Sequence, residues 1–291
     1  IVNCEGSFEA DDRAFHSICN LIELTTLKIN IDELSQSAFT GHFSKLKELK
    51  VLELESIEHN NASVVAILDE FSRVELPNLE LLQIFLNDVG VPLDQIERMG
   101  ENFKKLRSFK IRCDHPLSLN AYLMHMKSLS NLEIDYHYSK EFSKLLDNID
   151  VKSNLNKLCL LGFSFGSDDV NLNEMTLLKL TEVAPNLETL VMDTAFPFNT
   201  NFIFKIMHKL GKLRILKNWT MTQYGDNYIK FDLQSILDLQ GISGILNQFS
   251  IQLKLKAIDM DVSRVKEELS KEFEFEMSRV GNFTIIRLDK K

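Results

Sequence analysis

The feature that most constrains this chain is a six-residue pattern, L-x-x-L-x-L, that recurs along its 291 residues. The first leucine advances by 23 to 32 residues between well-formed copies. Those copies are Leu24/Leu27/Ile29, Leu49/Leu52/Leu54, Leu79/Leu82/Ile84, Leu106/Phe109/Ile111, Leu129/Leu132/Ile134, Leu155/Leu158/Leu160 and Leu187/Leu190/Met192. Degenerate copies follow at Leu213/Leu216/Asn218, Leu246/Phe249/Ile251 and Phe283/Ile286/Leu288. A recurrence on this scale predicts a repeat architecture instead of one ordinary globular core.

Each copy predicts a short strand, because alternate side chains of a strand face opposite ways. The fourth and sixth residues of the pattern then face a core. The third and fifth residues, and a seventh residue directly after the pattern, face solvent. Strands are predicted near Leu27, Leu52, Leu82, Phe109, Leu132, Leu158, Leu190 and Leu216. The segments between copies return the chain, and several have a helical pattern. Helices are predicted over 63–71, with Asn61 or Ser63 as the N-cap, and over 94–103, 118–126, 139–149, 173–184 and 199–210.

One strand and one helix in each unit of about 27 residues is typical of leucine-rich repeats. We therefore predict an α/β leucine-rich-repeat solenoid, a horseshoe with a parallel sheet on its concave face and helices on its convex face. Residues 1–23 are predicted to be an N-terminal capping segment, with a helix over Phe8–Asn20. Residues 24–245 hold the repeats. Residues 246–291 are predicted to form a degenerate repeat and a C-terminal cap, with a helix over Val262–Lys271 and then a hairpin turning at Gly281–Asn282.

The charge balance argues against two classes of partner. The chain has 33 Lys+Arg against 42 Asp+Glu, which gives a net charge of −9. Nucleic acids and anionic membranes favour basic surfaces, so neither is predicted to be a partner. No apolar run approaches the ~20 residues that a membrane-spanning helix needs. The first residues lack the features of a signal peptide. A cytoplasmic or nuclear protein is predicted, and the absence of an initial Met indicates a processed or cut piece.

Neither the cysteines nor the histidines suggest a metal site or cofactor. Cys4, Cys19, Cys113 and Cys159 are far apart and include no C-x-x-C pair. Reduced thiols are predicted, with a Cys4–Cys19 disulfide left open as an alternative. The seven histidines are scattered and are predicted to be ordinary surface or core residues.

One motif resembles a catalytic sequence. Residues 162–166 read G-x-S-x-G, and Asp193 and His208 follow in the order that a hydrolase triad requires. A nucleophile elbow also needs a helix directly after the turn, whereas the sequence continues as a polar loop, Ser167-Asp168-Asp169. We interpret the motif as a turn and predict no catalytic residue and no enzymatic activity.

The outward positions of the predicted strands are the candidate binding surface. They combine apolar side chains with alternating bands of acidic and basic residues, as protein interfaces do. We predict that the concave face binds a protein partner. The predicted contact residues are Phe85, Lys110, Arg112, Glu133, Asp135, Tyr136, Leu161, Val191, Ile215 and Trp219.

The irregular period, the helical return segments and the lack of cysteine caps make the chain resemble the intracellular ribonuclease-inhibitor-like repeat proteins. Within that group it is most similar to the repeat regions of F-box substrate receptors, over about residues 20–290. The resemblance implies a substrate-recognition part of a ubiquitin ligase, with a Skp adaptor bound through a region that is not in this chain. The alternative is a free-standing or secreted recognition or inhibitor protein without a ubiquitin role.

Overall fold

We analysed a computed structural model of the chain. It describes residues 2–4, 11–56, 61–85, 91–113, 119–136, 151–163, 170–194, 205–206, 209–213, 215–218, 250–256, 267, 270, 273–280 and 283–290. The chain divides into two compact units. The first contains residues 1–139 and 144–154, and the second contains residues 140–143 and 155–291. Neither boundary coincides with the predicted segments 1–23, 24–245 and 246–291, which stay a prediction.

The first unit alternates strands with helices. Its described elements are β1 (Val2–Cys4), α1 (Asp12–Cys19), β2 (Leu24–Asn30), α2 (Gln36–Phe39), β3 (Val51–Glu55), α3 (Asn61–Phe71), β4 (Leu81–Phe85), α4 (Leu93–Asn102), β5 (Ser108–Cys113), α5 (Leu119–His125) and β6 (Asn131–Tyr136). A 3-10 turn at Phe43–Lys45 precedes β3. Successive strands from β1 to β6 are parallel neighbours in chain order. The predicted α/β class with a parallel sheet is therefore confirmed.

The predicted core positions lie side by side across this sheet. One row of Cα partners runs through the fourth residue of each pattern, and the next row runs through the sixth. All of these side chains are at most 2% exposed. The two rows are Leu27, Leu52, Leu82, Phe109 and Leu132, and Ile29, Leu54, Ile84, Ile111 and Ile134. The period-2 alternation of the sequence thus decides which face of the sheet is buried.

The register is fixed where each strand begins. The carbonyl oxygen of Lys50 accepts bonds from the N–H groups of Glu80 and Leu81, at 2.8 and 2.9 Å. The equivalent carbonyl of the next strand, that of Glu80, accepts from Arg107 and Ser108 at 2.9 and 3.0 Å. The same two-donor arrangement recurs at the carbonyls of Arg107 and, in the second unit, Asn156. The same backbone contact therefore aligns β4, β5 and β6 to the strand before each of them, and recurs where the second unit begins.

Aromatic rings connect the helical side of successive segments. Phe43 lies against both Phe15 and Phe71, with ring centroids 5.5 and 5.3 Å apart. Phe71 continues to Phe103 at 5.7 Å. These four rings are at most 1% exposed. Edge-to-face and tilted ring pairs add to the area that they bury, so this chain of phenylalanines holds the helical layer together.

Lysine-to-asparagine hydrogen bonds add a polar link between successive return segments. The Nζ atom of each lysine donates to the Oδ1 atom of an asparagine located 25 to 27 residues earlier. The three pairs are Lys45–Asn20 at 2.9 Å, Lys105–Asn78 at 2.8 Å and Lys212–Asn186 at 2.7 Å. The first two lie in the first unit and the third lies in the second, so both units use the same contact.

The second unit begins like the first and ends differently. Its described elements are β7 (Lys157–Phe163), α6 (Val170–Val183), β8 (Thr189–Thr194), β9 (Ile215–Asn218), β10 (Ser250–Lys256), β11 (Phe273–Val280) and β12 (Phe283–Lys290). The pairs β7–β8, β8–β9 and β9–β10 are parallel. The pairs β10–β12 and β12–β11 are antiparallel. The predicted C-terminal hairpin is confirmed, and the copy at Phe283/Ile286/Leu288 does not continue the parallel series.

The helix predictions agree with the structure to different degrees. The helices α4 and α5 begin and end within one residue of their predictions, and α3 begins at Asn61 instead of Ser63. The N-terminal helix begins at Asp12, where Asp11 accepts a bond from the Ala14 N–H at 2.8 Å. The start of α6 lies three residues before the predicted Asn173. The helices predicted over 139–149, 199–210 and 262–271 lie wholly or mostly outside the described residues. No helix in the described part of the chain is long and apolar enough to cross a membrane.

Candidate functional site

The outward face of β2–β6, which we call the outer face, is the candidate site. Its side chains are the third, fifth and seventh residues of each pattern, on the side of the sheet opposite to the buried leucines. Cα pairing aligns them in three rows. The rows are Thr26–Val51–Leu81–Ser108–Asn131, Lys28–Glu53–Gln83–Lys110–Glu133 and Asn30–Glu55–Phe85–Arg112–Asp135. Parallel neighbours lie about 4.8 Å apart, so each row forms a continuous strip of side chains.

Ion pairs join neighbouring strands across this face. Lys28 Nζ lies 3.2 Å from Glu53 Oε1, and Lys110 Nζ lies 3.9 Å from Glu133 Oε2. The register explains both pairs, because each lysine is the Cα partner of its glutamate. Two of the lysines on this face therefore neutralise a glutamate on the next strand. Exposed pairs of this kind contribute little stability, about 0–1 kcal/mol, so their main effect is to position the side chains.

The third row contains a three-residue cluster. Arg112 Nε donates to Asp135 Oδ2 at 2.8 Å on the next strand. On its other side, the Arg112 guanidinium carbon lies 4.9 Å from the centroid of the Phe85 ring. A cation over an aromatic ring is attracted by the negative face of the ring. Phe85, Arg112 and Asp135 therefore form one ordered, half-buried surface across β4, β5 and β6.

The structure groups five of the ten predicted contact residues. Phe85, Lys110, Arg112, Glu133 and Asp135 are half-buried and adjacent on the outer face of the first unit. Leu161 and Val191 are half-buried on β7 and β8 of the second unit. Tyr136 is the last residue of β6 and Ile215 is the first residue of β9. The structure describes the backbone of these two residues and not their side chains. Trp219 lies outside the described residues altogether. The binding role of all ten stays a prediction.

Three outward positions are more buried than the alternation predicts. Cys159 on β7 is 4% exposed, Asn30 is 8% exposed and Gln83 is 9% exposed. Asn30 Oδ1 accepts a bond from the Asp32 N–H at 2.8 Å, which turns the chain at the end of β2. Asp32 Oδ1 in turn accepts from Ser56 Oγ at 2.6 Å. A residue on the outer face, such as Asn30, can therefore be buried where hydrogen bonds join the ends of neighbouring strands.

Sequence reasoning missed a pair of stacked histidines. The rings of His16 and His42 lie 4.0 Å apart, centroid to centroid, with their planes 18° from parallel. Burial, and then the nearby His16 and Lys45, lower the pKa of His42 below its usual value. The two residues are 26 positions apart and neither belongs to the leucine pattern, so only the superposition of the first two segments would have suggested the contact.

The thiol of Cys19 is not a candidate nucleophile. Its side chain is 0% exposed and forms no disulfide, so the Cys4–Cys19 alternative is wrong. Burial raises the pKa of the Cys19 thiol to about 12, which keeps it protonated at neutral pH. No group of three or more possible metal-ligating side chains occurs in the described part of the chain.

A small cavity lies in the first unit. Its volume is about 190 Å³, and its lining includes Leu123, Met126 and Leu129 together with Lys127 and Lys152. Ligand pockets are typically about 300–1,000 Å³, so this space is small for a substrate. Of the G-x-S-x-G motif, Gly162 and Phe163 end β7, and residues 164–166 lie outside the described residues.

Comparison with known proteins does not assign the chain to a family. No model of a known protein family matches the chain. No curated protein matches it either.

Proposed function

We propose that the chain is a protein-binding scaffold built as a leucine-rich-repeat solenoid, and that the outer face of β2–β6 binds the partner. In this proposal the parallel strands line the concave face of the horseshoe and the helices lie on its convex face. The observation that carries it is the alignment of three rows of side chains, most of them half-buried, across five parallel strands. Backbone hydrogen bonds hold these rows, so little ordering is needed when a partner binds.

The composition of this face supports a protein partner. Val51 and Leu81 form an apolar centre at the start of β3 and β4, Phe85 lies at the end of β4, and charged side chains occupy the rows beside them. Protein interfaces combine such an apolar centre with a polar rim. Aromatic and arginine side chains contribute most to binding energy, which makes Phe85 and Arg112 the strongest anchors. The net charge of −9 is unfavourable for a nucleic-acid partner.

The resemblance to F-box repeat regions supports one specific role, substrate recognition for a ubiquitin ligase in the cytoplasm or nucleus. A receptor of that kind binds a Skp adaptor through a separate region of the full-length protein and its substrate through the outer face. A free-standing inhibitor binds its target through the outer face alone. Adaptor binding by the full-length protein therefore distinguishes the two roles.

The test of this proposal is truncation of the central anchor. We expect Phe85→Ala to weaken binding of the partner by about 30-fold, which corresponds to about 2 kcal/mol. Partners recovered by the wild-type chain would be identified by mass spectrometry and their affinities measured by calorimetry. The matched control is Leu93→Ala, which removes an apolar side chain that is 60% exposed at the start of α4. Equal affinities for both variants, with folding intact, would place the binding surface elsewhere.

A further inference from the structure

Charge pairing on the outer face leaves Glu55 unmatched. Lys28–Glu53, Lys110–Glu133 and Arg112–Asp135 account for the other charged side chains in the three rows. Among the described residues, Glu55 has no ion-pair partner. As a residue Glu55 is half-buried, so its side chain is partly held by its strand neighbours. A cation supplied from outside would gain a charge-assisted contact there without first displacing an internal partner.

The neighbours of Glu55 suit a cationic side chain. Glu55 ends β3, between Asn30 on β2 and Phe85 on β4, its two Cα partners. Phe85 already has the Arg112 guanidinium carbon 4.9 Å from its ring centroid, on the side of β5. A lysine or arginine placed on Glu55 would approach the same aromatic residue from the side of β3. The carboxylate and the ring would then act together on one charge.

The sequence around the ends of these strands is also acidic. The segments that follow β2, β3, β4 and β5 contain no lysine or arginine over residues 31–44, 56–72, 86–97 and 114–126. Five acidic residues lie within three positions of these strand ends, Asp32, Glu33, Glu58, Asp88 and Asp114. Parallel strands end at one edge of a sheet, so all four segments begin at the edge where Glu55 lies. An approaching cation therefore meets no opposing lysine or arginine from these segments.

We propose that the outer face binds a protein segment that carries a lysine or arginine, and that this side chain sits on Glu55 beside Phe85. This inference rests on the proposed function and adds the chemistry of the partner. The apolar centre at Val51 and Leu81 binds the uncharged part of the same segment. A folded or extended protein segment supplies both elements, whereas a nucleic acid supplies the wrong charge and a free polyamine supplies no apolar contact.

The experiment uses random 12-residue peptides displayed on phage and selected on the whole chain. Selected peptides are expected to contain a lysine or arginine, and its replacement by the uncharged norleucine weakens binding about tenfold. Glu55→Gln is expected to weaken binding of the unmodified peptide to the same extent. The two changes together add little to either alone, because both remove one interaction. Added salt reduces the wild-type affinity and has a smaller effect on Glu55→Gln.

Matched variants separate this inference from the proposed function. Glu53→Gln removes a carboxylate from the same strand and face, but one already paired with Lys28, and is expected to change affinity less than Glu55→Gln. Thermal unfolding shows that each variant folds. Peptides that require Phe85 but show no basic preference, or additive effects of the two changes, would overturn the role of Glu55 and leave the scaffold intact. Peptides whose affinity is unchanged by Phe85→Ala would overturn the scaffold proposal instead.

Discussion

The two faces of the strands in the first unit follow opposite rules. On the buried face, Leu27, Leu52, Leu82 and Leu132 occupy one row, and phenylalanine at position 109 is the one exception. On the outer face, the adjacent row runs Lys28, Glu53, Gln83, Lys110 and Glu133. The backbone register is identical for both rows. The difference therefore lies in what each side chain contacts.

Each buried side chain fills space between the sheet and the helices, so its size and polarity are constrained by its neighbours. An outer-face side chain contacts two strand neighbours and solvent, so several chemistries fit equally well. The repeated residues therefore set which face of the sheet is buried, and the residues that vary between strands form the face that we propose binds the partner. Substitutions on the two faces are therefore expected to affect stability to different extents.

The largest effect is expected from truncation on the buried face. Leu132→Ala on β6 and Leu158→Ala on β7 remove side chains that are at most 1% exposed, one in each unit. Each is expected to lower the free energy of unfolding by about 2–5 kcal/mol, because a cavity remains where the leucine packed. Urea denaturation measures this. Asn131→Ala, one residue earlier than Leu132 and on the outer face, is expected to change stability by about 0.5 kcal/mol or less. Similar losses for Leu132→Ala and Asn131→Ala would contradict this difference between the two faces.

An intermediate effect is expected where the helices meet. A Cβ atom added at Gly100 on α4 would overlap with the carbonyl oxygen of His125, at the end of α5. Backbone cannot move aside as a flexible side chain can, so Gly100→Ala is expected to destabilise the chain by about 1–3 kcal/mol. This outcome reverses the usual preference for alanine over glycine within a helix.

The control is Gly211→Ala, because a Cβ atom at Gly211 meets nothing within 4 Å. Its free energy of unfolding is expected to differ from the wild-type value by about 0.5 kcal/mol or less. A Gly100→Ala variant that is more stable than the wild type would show that α4 and α5 separate freely.

The smallest effect is expected from the histidine pair, and it depends on pH. The pKa of His42 is lowered from 6.5 in the folded chain, so the unfolded chain binds more protons as the pH falls below that value. The contribution of His42 is therefore present above pH 6.5 and is lost as the pH falls through its folded pKa. Burial instead raises the pKa of Glu70 above 4.5, which favours the folded chain as the pH falls.

His42→Gln separates these opposite contributions, because it removes only the histidine. We expect the variant to lose less stability than the wild type between pH 7.5 and pH 5, as measured by urea denaturation at both values. His125→Gln, on α5, serves as the control for the loss of a histidine elsewhere. Equal losses for the wild type and His42→Gln would mean that the pKa of His42 is not lowered in the folded chain.

The sequence predicts the strands well because each one depends on a local pattern. Every predicted strand near Leu27, Leu52, Leu82, Phe109, Leu132, Leu158, Leu190 and Leu216 is present. A leucine at the fourth position must be buried, and only a strand places the fourth and sixth residues on one face. The hairpin of β11 and β12 was also predictable, because Gly281 and Asn282 separate two alternating runs.

Other features depend on contacts between distant residues. The short helix α2 and the turn at Phe43–Lys45 lack a helical pattern of their own and were not predicted. The chain of phenylalanines from Phe15 to Phe103 joins residues at least 28 positions apart. Outer-face residues such as Phe85 and Arg112 could be placed on one surface from the sequence. Their stacking, and the neutralisation of Arg112 by Asp135, required the strand register.

The antiparallel pairs β10–β12 and β12–β11 in the second unit also affect how the protein behaves at high concentration. A parallel sheet can add a further strand at its edge, including one from another molecule, which is a route to aggregation. The chain reverses direction at β12, and β11 is the last strand in the order. Two exposed carboxylates, Glu274 and Glu276, lie on that strand. If the β11 strands of two molecules met edge to edge, their glutamates would lie side by side and repel one another. The hairpin therefore disfavours this association.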